Sequence, residues 1–200
     1  SANKNALLNI GIAFDSGKAL ALFQKKAQEL SQSPFKCSEL ADLNKEVAKA
    51  NSQLMFIPPF ARAFKGIELT VSKLSGSMAT MDVAATLVLT VDKAPMVFDA
   101  LKGMLPPLAA LPKLPTDATP VPLNQFPLPP VVKAPHLALG PNAFGLSIGA
   151  GQSDSLKKIV GAKSLKDSSL LSVHYDLDGV ISALKTAGAA NPQMKKAVEE

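Results

Sequence analysis

Tryptophan is absent from this chain of 200 residues, and tyrosine and arginine occur once each, at Tyr175 and Arg62. Stacking of single-stranded bases needs aromatic rings, and recognition of bases or phosphates favours the planar fork of arginine. The net charge of +5 is carried by lysines dispersed along the chain, among them Lys25, Lys26, Lys45, Lys49, Lys157, Lys158, Lys195 and Lys196. That is the pattern of solvated helix faces, and no nucleic-acid partner is expected. Cys37 is the only cysteine, which excludes an internal disulfide and a cysteine-based zinc site. Histidine occurs only at His136 and His174. Neither lies beside a carboxylate cluster, so no metal and no other cofactor is expected. The longest aliphatic run, Val83 to Val91, is broken by threonines and falls well short of the roughly 20 residues of a spanning helix. No transmembrane segment is expected.

What the chain does have is apolar substance, 47% hydrophobic against 18% charged residues, enough to bury a core. Four short stretches share one design: IGIAFD (Ile10 to Asp15), LVLTVD (Leu87 to Asp92), FGLSIG (Phe144 to Gly149) and LSVHYD (Leu171 to Asp176). In each, apolar residues stand five, three and one positions before a hinge, the period of a strand with one buried face. Amphipathic segments follow the hinges, and Asp15, Asp92 and Asp176 are placed to cap them.

The remaining elements fill in between these units. Leu20, Phe23, Ala27 and Leu30 mark one helix, and Leu40, Leu43, Val47 and Ala50 a second, over roughly Ser38 to Leu54. The short link between them predicts an antiparallel helix hairpin. Phe56-Ile57-Pro58-Pro59-Phe60 breaks helix and reads as a core-covering loop. A strand from Gly66 pairs with the one ending at Asp92, and Ala94 to Leu105 follows as a helix. Eleven of the 16 prolines fall between Pro106 and Pro141. Such density opposes helix and central strand, and predicts an extended arm, about 105–135, lying over the surface or an edge. Then come a hairpin of His136 to Leu139 with Ala143 to Gly149, a helix from Ser153 to Gly161, the strand to Asp176, a helix from Asp178 to Thr186 and a terminal helix from Pro192. The fold expected is α+β over 1–200 as a single domain: a mainly antiparallel sheet with helices packed on one face, built from repeated β-α and ββα units.

Two serine patterns suggest chemistry. Gly145-Leu146-Ser147-Ile148-Gly149 matches the nucleophile elbow G-x-S-x-G, with His174 downstream, Asp167 or Asp154 between, and His136 upstream. The mechanism needs serine on a sharp turn that leads at once into helix. Ser147 instead alternates with Phe144, Leu146 and Ile148 inside a predicted strand, where small residues would occupy the sheet's second face. Ser155-Leu156-Lys157-Lys158 matches S-x-x-K without its companion motifs S-D-N and K-T-G. Gly149-Ala150-Gly151-Gln152-Ser153 offers backbone amides to an anion, opposed by the charge of Asp154.

The expected function is that of a non-enzymatic binding domain whose partner is a protein or an apolar small molecule, with the proline-rich arm as its expected seat. An exported setting, periplasmic or at the cell surface, is expected from composition and from a start at Ser1 without methionine. A processed or excised part of a longer precursor is expected too, which leaves room for a lipid anchor outside this chain. The alternatives are a serine hydrolase using Ser147 or Ser155, and a carrier holding an apolar ligand between sheet and helices.

Overall fold

The computed structural model describes residues 6–54, 56–76, 81–124, 126, 128–129, 132–162 and 170–189. Its elements run β1 (Leu8–Ala13), α1 (Ser16–Gln32), α2 (Ala41–Leu54), β2 (Phe64–Ser75), β3 (Asp82–Val91), α3 (Ala94–Met104), α4 (Pro106–Ala109), β4 (Val121–Pro122), β5 (His136–Leu139), β6 (Ala143–Ile148), α5 (Gln152–Val160), β7 (Leu171–Tyr175) and α6 (Leu177–Ala189). The chain divides into two compact units, one of residues 14–65 and one built from the segments on either side.

The smaller unit is the expected helix hairpin. Asp15 caps α1, its carboxylate accepting from the Lys18 amide at 2.9 Å. Ser16 is buried because its hydroxyl donates to the Ala61 and Phe64 carbonyls, at 2.6 and 2.9 Å. At the other end of the hairpin, Asn44 grips the connection: its amide nitrogen donates to the Phe35 carbonyl and its oxygen accepts from the Phe35 amide. Of the expected apolar stripe only Ala27 is buried and Phe23 stays exposed, because two slender helices cannot enclose each other's apolar side chains.

The larger unit is a seven-stranded sheet in the order β4-β5-β6-β3-β2-β1-β7, antiparallel in the pairings β1 with β2, β1 with β7, β3 with β6, β4 with β5 and β5 with β6. Helix α5 packs on β6, β3 and β5. Its Leu156 and Val160 are fully buried in a cluster with Val88, Ala118, Ala138 and Ala143. The approach is close because the sheet beneath is made of small residues. A Cβ added to Gly145 would stand 2.9 Å from Leu156 Cδ1 and from Val88 Cγ2, and 2.7 Å from the Leu87 carbonyl oxygen. Any larger residue there would push the helix off.

Between α3 and β5 the proline-rich segment is built into the larger unit. Leu111, Leu114, Ala118 and Leu123 are buried, and the Ala118 amide donates to the Leu139 carbonyl at 2.9 Å. Two details differ from the extended chain expected. Pro106 and Pro107 open the single helical turn α4, which proline tolerates because the first amides of a helix have no intrahelical partner. Val121 and Pro122 also pair with Leu137 and His136 as an edge strand. The second aspartate hinge is displaced as well: the residue at the N-cap of α3 is Lys93, in left-handed conformation with φ 54°, so Asp92 stands one position too early. The proposed terminal helix from Pro192 lies outside the described residues.

Candidate functional site

The alternation that predicted the strands lies on the face of the sheet opposite to α5. Ser72 and Thr86 both reach the same Gln152 side-chain oxygen on α5, at 3.4 Å each, so the even-numbered residues of β2 and β3 share the helix-covered face. Registry extends this face through Thr86 to Ser147 and His136 on one side and through Thr70 to Asn9 and His174 on the other. It is the polar and small-residue side. Asn9 is buried there with its amide donating to Thr70 Oγ1 at 2.7 Å and Glu68 Oε1 at 2.8 Å, which satisfies it.

The aliphatic rows run across the other face. Tyr175, Leu8 and Val71 form one, Val173, Ile10 and Leu69 the next, and Leu171, Ile12 and Ile67 a third. Beyond β2 the face continues through Leu87 with Leu146 and Leu89 with Phe144. At that end it is closed, since Leu137 and Leu139 are buried and the Phe98 ring of α3 meets Phe144 edge-on at 5.5 Å. Toward β7 it opens: Ile12 is 43% exposed, Val173 53%, Tyr175 60% and Leu171 61%, while Leu146 on β6 is 37% exposed. Sequence reasoning assigned these residues to a buried face. The signal against that lay in their neighbours, because Gly145, Ser147, Ala84 and Thr86 are the small residues a close-packed helix requires.

The catalytic patterns are taken apart by the same geometry. Ser147 lies within β6, 1% exposed, and its hydroxyl has no hydrogen-bond partner among the described residues. Gly149, which ends the motif, holds φ 91° and donates its amide to the Lys133 carbonyl, so the turn falls after the serine rather than at it. His174 is exposed on β7, with β3, β2 and β1 between it and β6; four interstrand steps of about 4.8 Å put some 19 Å between those strands. Asp167 lies outside the described residues. The histidine beside Ser147 is His136, its cross-strand neighbour, whose Nδ1 lies 2.9 Å from the Ala134 carbonyl oxygen rather than at a carboxylate. Ser155 is the fourth residue of α5, not its first. Beneath the helix the space is filled by Leu156, Val160 and Val88. The Gly149 to Ser153 turn uses its own amides, that of Gln152 pointing at the Gly149 carbonyl, with Asp154 in the first helical turn.

Among the described residues no three His, Cys, Asp or Glu side chains come together as a metal site. No described helix is long and apolar enough to cross a membrane. The carboxylates held below their ordinary range belong to surface ion pairs and turns. Asp15 is held down first by the hydrogen bond from Lys65 and then by the Lys18 amide, Asp82 by Lys73, Glu29 by Lys26, and Asp117 by the Thr119 hydroxyl and amide. Against known proteins, no family model, no curated protein and no solved structure matches this chain.

Proposed function

We propose that this is a non-enzymatic binding domain whose working surface is the open aliphatic face of the sheet, and that its ligand is apolar and lipid-like. The observation that carries the reading is the exposed patch of Leu171, Val173, Tyr175 and Ile12 on the adjacent strands β7 and β1, on the face that runs on to Leu146 of β6. Isolated exposed apolar residues are ordinary, whereas a contiguous patch calls for an occupant. The chemistry of the face favours a ligand without polar groups. From β7 through β3 its central rows hold aliphatic side chains and the Tyr175 ring, with Lys73 at the end of the β2 row, while a protein interface usually carries about one hydrogen bond per 100–200 Å².

A fluorescent dansyl fatty acid titrated into the full chain should bind saturably and be displaced by unlabelled fatty acid. Leu146→Glu and Ile12→Glu, which place a charge on the face without touching the α5 side, should weaken binding at least tenfold. Unchanged affinity in both variants overturns the reading. So does covalent labelling by a fluorophosphonate probe that is lost in Ser147→Ala or Ser155→Ala, which would favour a hydrolase.

A further inference from the structure

The two edges of the sheet are finished differently. At one, β4 is two residues long, follows Pro120 and includes Pro122, which has no N–H to offer. Prolines, charges, bulges and short strands are how sheet edges avoid pairing with other chains. The other edge is β7, Leu171-Ser172-Val173-His174-Tyr175, with no proline, glycine, lysine or carboxylate in it.

Registry shows which groups that edge presents. The Ala13 amide donates to the Leu170 carbonyl and the Asp176 amide to the Leu7 carbonyl, both at 3.0 Å. In an antiparallel ladder bonding and non-bonding pairs alternate. The residues of β7 bonded to β1 are therefore Leu170, Ser172, His174 and Asp176, and the N–H and C=O groups of Leu171, Val173 and Tyr175 point outward. No described backbone group reaches them.

We infer that β7 pairs with β7 of a second copy of this chain, antiparallel about a two-fold axis at Val173. In that register Val173 faces Val173 of the partner copy and Leu171 faces Tyr175, as bonding pairs that use every outward group of the edge. The same register continues the aliphatic rows from one sheet into the next and sets Ser172 beside His174 on the opposite face. Because the strand carries no carboxylate or lysine, self-pairing opposes no like charges. A second copy is thus the occupant for which each contact can be written from this sequence. The inference concerns the edge and holds whatever ligand the open face takes.

Sedimentation of the full chain should show mass rising from the 20.9 kDa monomer toward twice that value over roughly 1–500 µM, as for a weak interface. Val173→Pro removes an outward N–H that β1 does not use, so it should leave the far-UV circular dichroism unchanged and weaken dimerisation at least tenfold. Val173→Lys, which sets two charges together on the axis, should do the same and serves if the proline variant misfolds. In a Cys37→Ser background, Val173→Cys should oxidise to a disulfide dimer, since facing Cα atoms in a bonding pair are about 5.5 Å apart. A wild type that stays monomeric throughout, or a dimer that both Val173→Pro and Val173→Lys leave intact, overturns the inference. Fatty-acid titration of the wild type, with Val173 unaltered, tests the binding function separately, so a failure here is distinct from a failure of that reading.

Discussion

Under α5 the sheet is paved with Gly145, Ala143, Ser147, Ala84 and Thr86, and the helix supplies the bulk through Leu156 and Val160. On the opposite face the sizes are reversed: Leu8, Ile10, Leu69, Leu87 and Val173 stand up from the sheet, and at the β7 end Leu171, Val173 and Tyr175 are exposed. A close-packed layer needs one partner to be small where the other is large. The large residues of the second face are therefore the half of an interface whose other half is still to be supplied, whereas the small residues of the first are already matched.

Truncation should break this comparison most clearly. Leu156→Ala removes a fully buried side chain from the layer between α5 and the sheet and should cost about 2–5 kcal/mol, since the cavity adds to the lost transfer energy. Leu171→Ala removes the same atoms from the open face and should cost no more than about 0.5 kcal/mol. Urea unfolding of the two variants beside wild type reads the difference. Equal costs would mean that the open face is covered in solution, and a loss on Leu171→Ala that appears only at high protein concentration would point to the second copy.

Ser147 sharpens the same contrast from the packed side. Its buried hydroxyl has no partner among the described residues, and an unmet polar group costs its desolvation without return. Ser147→Ala should leave stability unchanged or raise it by up to about 1 kcal/mol, with fatty-acid binding as in wild type. A variant that unfolds at markedly lower urea would place a bound water on that oxygen.

Most strands could be read from the sequence because period-two aliphatic spacing is a property of the backbone alone. β3 ends at Val91 and β7 occupies Leu171–Tyr175, within a residue of where the alternation puts them. Which face is buried could not be read that way. Hydrophobicity ranks Leu146 above Ser147, yet the helix, whose position depends on contacts far along the chain, covers the serine. The α3 start at Ala94 was legible but its cap was not, because Lys93 holds the N-cap position with φ 54°, which a lysine rarely does and no local pattern announces. In the proline-rich stretch the aliphatic content pointed to packing, but pairing of Val121 with Leu137 depends on a strand that comes later. The candidate serines were legible only as letters, and the registry that isolates Ser147 from His174 is a property of the whole sheet.

The smallest effect expected comes from the polar end of the open face, where the β2 row of Ile67, Leu69 and Val71 ends in Lys73. Lys73 Nζ lies 2.6 Å from Asp82 Oδ2, and Lys133 Nζ 3.8 Å from Oδ1. The hydrogen bond and charge of Lys73, with a lesser contribution from Lys133, hold the Asp82 carboxyl below its ordinary value of 3.8. A carboxyl depressed on folding adds stability that is fully present above its unfolded pKa and is lost as pH falls through the folded one. Asp82→Asn should therefore lower the urea midpoint slightly at pH 6, and the gap from wild type should close as the pH is taken below about 3.8. Added salt should narrow the gap at pH 6, because the pair is half exposed and screened. Lys73 then serves to end an aliphatic row rather than to hold the sheet together, and a gap that persists at low pH would assign Asp82 a packing role instead.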